Sequence, residues 1–143
     1  MSLRTTLTGA LALAAVTAAG PAFSQAGLLT GGAEELPPIT LSSGKPLVDK
    51  PYELKAGKFY ELTIKADGSA ELALSGAEFF RNVWINEIVI NDIEIRPLGV
   101  DSFEFDDEGE IEMDFIPIRP GRFVLRIPGT TGESQQAIFN VTD

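Results

Sequence analysis

Three stretches of this chain alternate apolar and polar residues with a period of two, and this constrains its fold more than any other feature. In residues 60–65, Tyr60, Leu62 and Ile64 share one face while Glu61, Thr63 and Lys65 share the other. Residues 110–115 repeat the pattern with Ile111, Met113 and Phe115, and residues 136–141 repeat it with Ala137, Phe139 and Val141. Successive side chains on a strand point to opposite faces, so such segments read as half-buried strands, one face in a core and one in water. Turn signals separate them. Asp67-Gly68 is one, Pro120-Gly121 opens a further strand at 122–127, and Pro128-Gly129 closes it. Beyond the amino-terminal apolar stretch no segment sustains a helical period. About seven to nine short strands between Gly, Pro and Asn/Asp turns predict an all-β fold, a single small antiparallel or mixed β-sandwich.

Between residues 83 and 97 the inward phase changes twice. Val83 and Ile85 share one parity, Ile88 and Ile90 the other, and Ile93 and Ile95 return to the first. Each change falls on a polar pair, Asn86-Glu87 and then Asn91-Asp92. A one-residue slip turns every later side chain to the opposite face, so each pair is expected to be a bulge or a tight turn. A bulge either shapes the sheet or re-aims side chains beside a functional site.

The amino terminus reads as an export signal. One basic residue, Arg4, precedes an uncharged stretch at 5–20, and small residues follow at two candidate cleavage sites, after Ser24 or after Ala26. The apolar run is shorter than the roughly 20 residues a bilayer core requires, and Thr and Gly dilute it. The expected organisation is a signal peptide over 1–26, a flexible Gly/Pro-rich lead over 27–38 and one domain over 39–143, exported to the periplasm or secreted. No membrane association is expected after cleavage. A net charge of −10 repels nucleic acid and anionic lipid, and favours cationic partners or metal ions. The chain has no cysteine, so core burial rather than disulfides must hold the domain together.

A family resemblance rests on spacing and turn grammar. Residues 51–57, Pro-Tyr-Glu-Leu-Lys-Ala-Gly, followed by the strand at 60–65, look like the opening of a cupredoxin-like domain. Residues 116–123, Ile-Pro-Ile-Arg-Pro-Gly-Arg-Phe, resemble that family's turn into its penultimate strand, and residues 137–141 resemble its closing strand. The resemblance covers roughly residues 39–141 and implies a Greek-key sandwich. It also implies a blue-copper site of two histidines, a cysteine thiolate and a weak axial ligand. Counted from Pro120-Gly121, the cysteine position is Ile127, the loop for a histidine and methionine is 128–135, and the first histidine falls within 70–74. None of these positions holds a ligand, and the sequence contains no histidine. The resemblance therefore implies the fold without the type 1 copper site, and Met113 falls on the inward parity of its strand.

Asp101, Glu104, Asp106, Asp107, Glu108, Glu110, Glu112 and Asp114 form an acidic run. Aligned on Gly109, a calcium-loop pattern matches Glu104, Asp106 and Glu108 but meets Phe115 where a bidentate Glu is needed. Two readings stand. The run is either a solvated face that discourages edge pairing, or a site for Ca²⁺ or another hard cation at Asp106, Asp107, Glu108 and Glu110. Phe79, Phe80, Arg81 and Trp84 form the candidate surface for an extracytoplasmic protein partner, since aromatics and arginine dominate interface hot spots. The competing reading puts two of the three aromatics in the core and leaves Arg81 exposed. Arg119, Arg122 and Arg126 read as a second basic patch, paired with the acidic run or kept for a ligand. Histidine- and cysteine-based nucleophilic and zinc chemistry is unavailable, so the chain is expected not to be an enzyme and to carry no cofactor. The resulting expectation is an exported, non-catalytic binding protein, with hard-cation binding through residues 101–114 as the alternative.

Overall fold

In the computed structural model, which describes Leu29 and residues 31–143, the alternating segments are strands whose apolar faces close on one another. The expected signal at 1–26 lies outside the described residues. Along the chain run β1 (Glu34–Glu35), β2 (Ile39–Leu41), β3 (Tyr52–Lys55), β4 (Tyr60–Ala66) and β5 (Leu72–Ser75). A single-turn helix α1 (Ala77–Phe80) precedes β6 (Val83–Ile90), β7 (Ile93–Ile95), β8 (Ser102–Phe105), β9 (Gly109–Pro117), β10 (Gly121–Arg126) and β11 (Gln136–Thr142). One sheet has the order β1-β4-β9-β6-β7, with β2 also paired to β4, and the other has the order β3-β11-β10-β5-β8. β1 and β2 run parallel to β4, and β3 runs parallel to β11. The result is the expected mixed sandwich.

The core follows from cross-strand register. Tyr60, Leu62 and Ile64 on β4 stand opposite Phe115, Met113 and Ile111 on β9, and all six are buried. From the facing sheet, Phe123 and Leu125 stand opposite Phe139 and Ala137. Phe79 plugs the space between the sheets. Its ring centroid lies 5.5 Å from Phe115 on one sheet and 4.4 Å from Phe139 on the other, and 5.5 Å edge-on from Phe80. Such tilted and edge-to-face pairs add to the energy of area burial. The helix that carries Phe79 is fixed by Asn82, whose side-chain amide donates to the Glu78 carbonyl at 2.6 Å while its own carbonyl accepts from the Ile118 N–H at 3.0 Å. Gly76 lets α1 approach β10, because a Cβ there would sit 2.4 Å from the Val124 carbonyl oxygen.

Both phase changes have a structural cause. At the first, pairing of β6 with β9 shifts between Ile85 and Glu87, leaving Asn86 as a bulge. At the second, Asn91 and Asp92 have φ of 50° and 63°, both left-handed, which makes the β6–β7 connection a two-residue type I′ turn. Residues 34–36 depart from the expectation of a flexible lead through residue 38. The Glu34 and Leu36 N–H groups donate to the Phe59 and Glu61 carbonyls at 3.0 and 2.9 Å, and the Leu36 side chain is buried. The edge of β4 would otherwise expose those carbonyls, so the lead is recruited as a strand.

Replacing Phe79 with alanine should lower unfolding stability by about 3–5 kcal/mol, since the side chain is buried between both sheets. Trp84→Ala should cost less than about 1 kcal/mol, because Trp84 is 48% exposed. Urea unfolding of both variants against wild type checks the contrast.

Candidate functional site

The aromatic segment splits between core and surface. Phe79 and Phe80 are 1% and 8% exposed, which removes them from the expected partner surface; Arg81 and Trp84 remain outside. The physical reason is the one-turn helix, which swings both phenyl rings inward before β6 begins. Trp84 stands on the outer face of β6 opposite Ile116, which is buried although its strand parity points outward. Continuing the β4–β9 register places Phe59, also buried, on the other side of Ile116.

The expected cation site does not assemble as a set. Glu110 stands opposite Lys65 and pairs with it at 2.7 Å, and the Asp107 carboxylate accepts from the Glu108 N–H at 2.8 Å. Asp106 alone of the four joins a group whose ligand oxygens approach within 4.8 Å, together with Glu71 and Glu104. Sequence reasoning missed Glu71 because it lies on the approach to β5, brought alongside by the β5–β8 register. The expected pairing of Arg119, Arg122 and Arg126 with the acidic run is also absent among the described residues. Arg126 instead donates to the Thr130 carbonyl at 2.9 Å and to Gln136 at 2.8 Å.

A row of like charges runs across the outer face of the six-stranded sheet. Glu35 on β1 stands opposite Glu61 on β4, Glu61 opposite Asp114 on β9, and Asp114 opposite Glu87 on β6. Four carboxylates thus lie in one register row across four adjacent strands, with Glu112 one step along β9. Like charges directly opposite on neighbouring strands are destabilising. Glu87 reaches this row only because of the bulge at Asn86. With unbroken alternation after Val83 and Ile85, residue 87 would face the core. Arg96, just beyond β7, caps one end of the row by pairing with Glu87 and with Glu94. Burial, then the neighbouring Glu61 and Glu87 charges, push the Asp114 carboxyl up to about 6. Burial and the charges of Glu112 and Glu35 raise Glu61 as well. The signal available in sequence was Glu61 and the acids of β9 on outward parity; β1 and β6 could not be placed beside them.

A groove of about 570 Å³ lies along β2 and β3, lined by Leu36, Pro37, Leu47, Val48 and Tyr52 among others. The Tyr52 hydroxyl is engaged internally, donating to the Pro37 carbonyl at 2.7 Å.

No family model and no curated protein matches the sequence. Solved structures do. The chain is similar to a multicopper oxidase from Pseudomonas thermotolerans, with 15% identity, 79% of this chain and 30% of that one covered, and a TM-score of 0.55. It is also similar to a copper nitrite reductase from Nitrosomonas europaea, with 13% identity, 66% and 33% coverage, and a TM-score of 0.52. A third is a laccase-like multicopper oxidase from the lignin-degrading bacterium Ochrobactrum sp., with 16% identity, 82% and 26% coverage, and a TM-score of 0.50. The fold is cupredoxin-like. This chain spans a third or less of each of those proteins. The expectation that the chain is not an enzyme is corrected by these matches: the proteins sharing its fold are oxidases and a reductase. At such identities the likeness establishes architecture alone.

The cupredoxin-like fold makes the copper positions testable. Ile127 is buried in the core, and continuing the β10–β5 register sets it opposite Leu74, which is also buried. In the loop after it, the Ile127 N–H donates to the Gln135 carbonyl at 3.1 Å and the Leu47 N–H donates to the Ser134 carbonyl at 2.9 Å. A type 1 copper centre needs thiolate and imidazole donors, and the residues at these positions, which include Glu71, Glu133 and Gln135, offer neither. They do not fit the ion.

The carboxylate row has a pH signature. Asp114 binds its proton more tightly in the fold than in the unfolded chain, where its value is near 3.8. Between about 4 and 6 the folded state therefore holds more protons, so stability rises as pH falls from 7 through 6 toward 4. Asp67 acts in the opposite sense. The hydroxyls of Ser42 and Ser69 and the Ser69 N–H hold its carboxyl down to about 2, so its contribution is present above 3.8 and is lost as pH falls toward 2. Urea unfolding should show greater stability near pH 5 than near pH 7.5, by on the order of 1 kcal/mol once solvent screening is allowed for. Asp114→Asn should stabilise the protein at pH 7.5 and remove most of that difference.

Proposed function

We propose that this chain is an exported cupredoxin-like domain without a blue-copper centre that binds an extracytoplasmic protein partner through the outer face of its six-stranded sheet. Residues 1–26 supply the export signal, and the site of action is the periplasm or the extracellular space. The observation that carries the reading is the row Glu35, Glu61, Asp114 and Glu87. Its mutual repulsion costs stability in the free domain, and a cationic partner offsets that cost on binding. Long-range attraction by such a surface speeds encounter and weakens with salt. Trp84, on the same face of β6, supplies an aromatic anchor beside the charged row. Immobilised protein should retain partners from an extracytoplasmic extract at low salt and release them as ionic strength rises. The doubly neutralised Glu61→Gln/Asp114→Asn variant should lose them. Identical partner lists for wild type and that variant would sink the reading.

A second reading has its own observation, the approach of Glu71, Glu104 and Asp106 within 4.8 Å. Three carboxylate oxygens are the donors that Ca²⁺ or a trivalent lanthanide prefers. Calorimetric titration should give saturable binding that Glu104→Gln weakens; no saturation at about millimolar ion removes this reading.

A further inference from the structure

Ile90, Ile93, Ile95 and Leu98 are exposed together on the β6–β7 hairpin and just after it. Ile88, on the same face, is buried, and burial fades along the hairpin until Ile93 is 64% and Ile95 42% exposed. β7 is the end strand of its sheet, with β6 on one side only. Because a two-residue turn joins them, Ile90 and Ile93 are the closing hydrogen-bonded pair, and Ile88 with Ile95 is the next. The intervening Glu94 therefore turns its N–H and C=O away from β6. Among the described residues no other strand meets this donor and acceptor, which lie between two uncovered isoleucines.

Edge strands are ordinarily blunted by brevity, charge or proline. β7 is short and runs into Arg96-Pro97, which limits any added pairing to a few residues. Its inward side chains are nevertheless left apolar. On the opposite side of the sandwich, Ile39 and Leu41 of β2 and Tyr52 and Leu54 of β3 are buried.

Charge decides what covers this edge. On the outer face Glu94 and Glu87 share Arg96, while Glu112 and Asp114 on the next strand make no ion pair among the described residues. A strand alternating apolar and basic residues places its apolar side chains on Ile93 and Ile95 and its cations beside Glu94. A second copy, with a net charge of −10, brings the same acidic face against itself.

We infer that β7 is a docking edge for an extended segment of a partner, alternating apolar and basic residues, which joins the six-stranded sheet as a further strand. Main-chain hydrogen bonds to Glu94 supply register, and the isoleucine strip supplies the apolar contact. The inference rests on the cationic-partner reading and specifies how that partner is held.

An alternating Val-Lys octapeptide is the probe, and a Val-Glu octapeptide is its control. The Val-Lys peptide should bind the full chain and the control should not. Glu94→Pro removes the outward N–H while leaving the β6 ladder intact, and should weaken binding about tenfold. In wild type, amide exchange at Glu94 should be fast when free and slow with peptide bound, a readout independent of whether the proline variant folds. Equal binding by wild type and Glu94→Pro, with no protection at Glu94, overturns the edge inference. If Glu61→Gln/Asp114→Asn then abolishes that binding, the cationic-face reading survives alone. No binding by wild type overturns both. Sedimentation showing a dimer with Glu94 protected in the absence of peptide makes the occupant a second copy and refutes the partner assignment.

Discussion

One aromatic side chain joins the two halves of this sandwich. Phe79 meets Phe115 on one sheet and Phe139 on the other, while Tyr52 stacks on Phe139 with centroids 4.7 Å apart. Without a disulfide the two sheets rely on burial, and Phe79 adds aromatic pairing to both of them. The one-turn helix that delivers Phe79 is itself tied to β6 and to the strand end at Ile118 through Asn82. Core packing therefore sets where β6 starts, and with it the position of everything β6 carries outward.

What β6 carries is set by a single extra residue. The bulge at Asn86 turns Glu87 from the core side to the solvent side and completes a row of four carboxylates. A sheet face optimised for stability alone would alternate signs along such a row, as Lys65 and Glu110 do on the same pair of strands. The row departs from that rule at a cost in stability. The same strand continues into a hairpin whose apolar residues outrun the core, so the acidic face and the open edge are two products of one β6 trajectory.

The cupredoxin-like architecture and the chemistry of this chain part company at the copper positions. Continuing the β10–β5 register by one residue sets Ile127 opposite Leu74. Of the side chains at these positions, Leu74 and Ile127 are packed in the core, and Glu71 is an exposed carboxylate. Architecture is specified by alternation and turns, which tolerate such replacement; a metal centre is specified by donor atoms, which do not.

The sandwich, its inward residues and the two phase changes at Asn86 and Asn91 were legible in the sequence, because alternation and turn chemistry are local properties read within a few residues. So was the absence of thiolate and imidazole donors. The inward turn of Phe79 and Phe80 was legible only as one of two alternatives, since a single helical turn leaves no periodic trace. The recruitment of Glu34–Glu35 as a strand left no signal either, because a two-residue pairing is decided by the edge it meets. The convergence of Glu35, Glu61, Glu87 and Asp114, like that of Glu71 with Glu104 and Asp106, was settled by strand order and register. Those depend on contacts between residues far apart in the chain, and only the packed tertiary structure sets them.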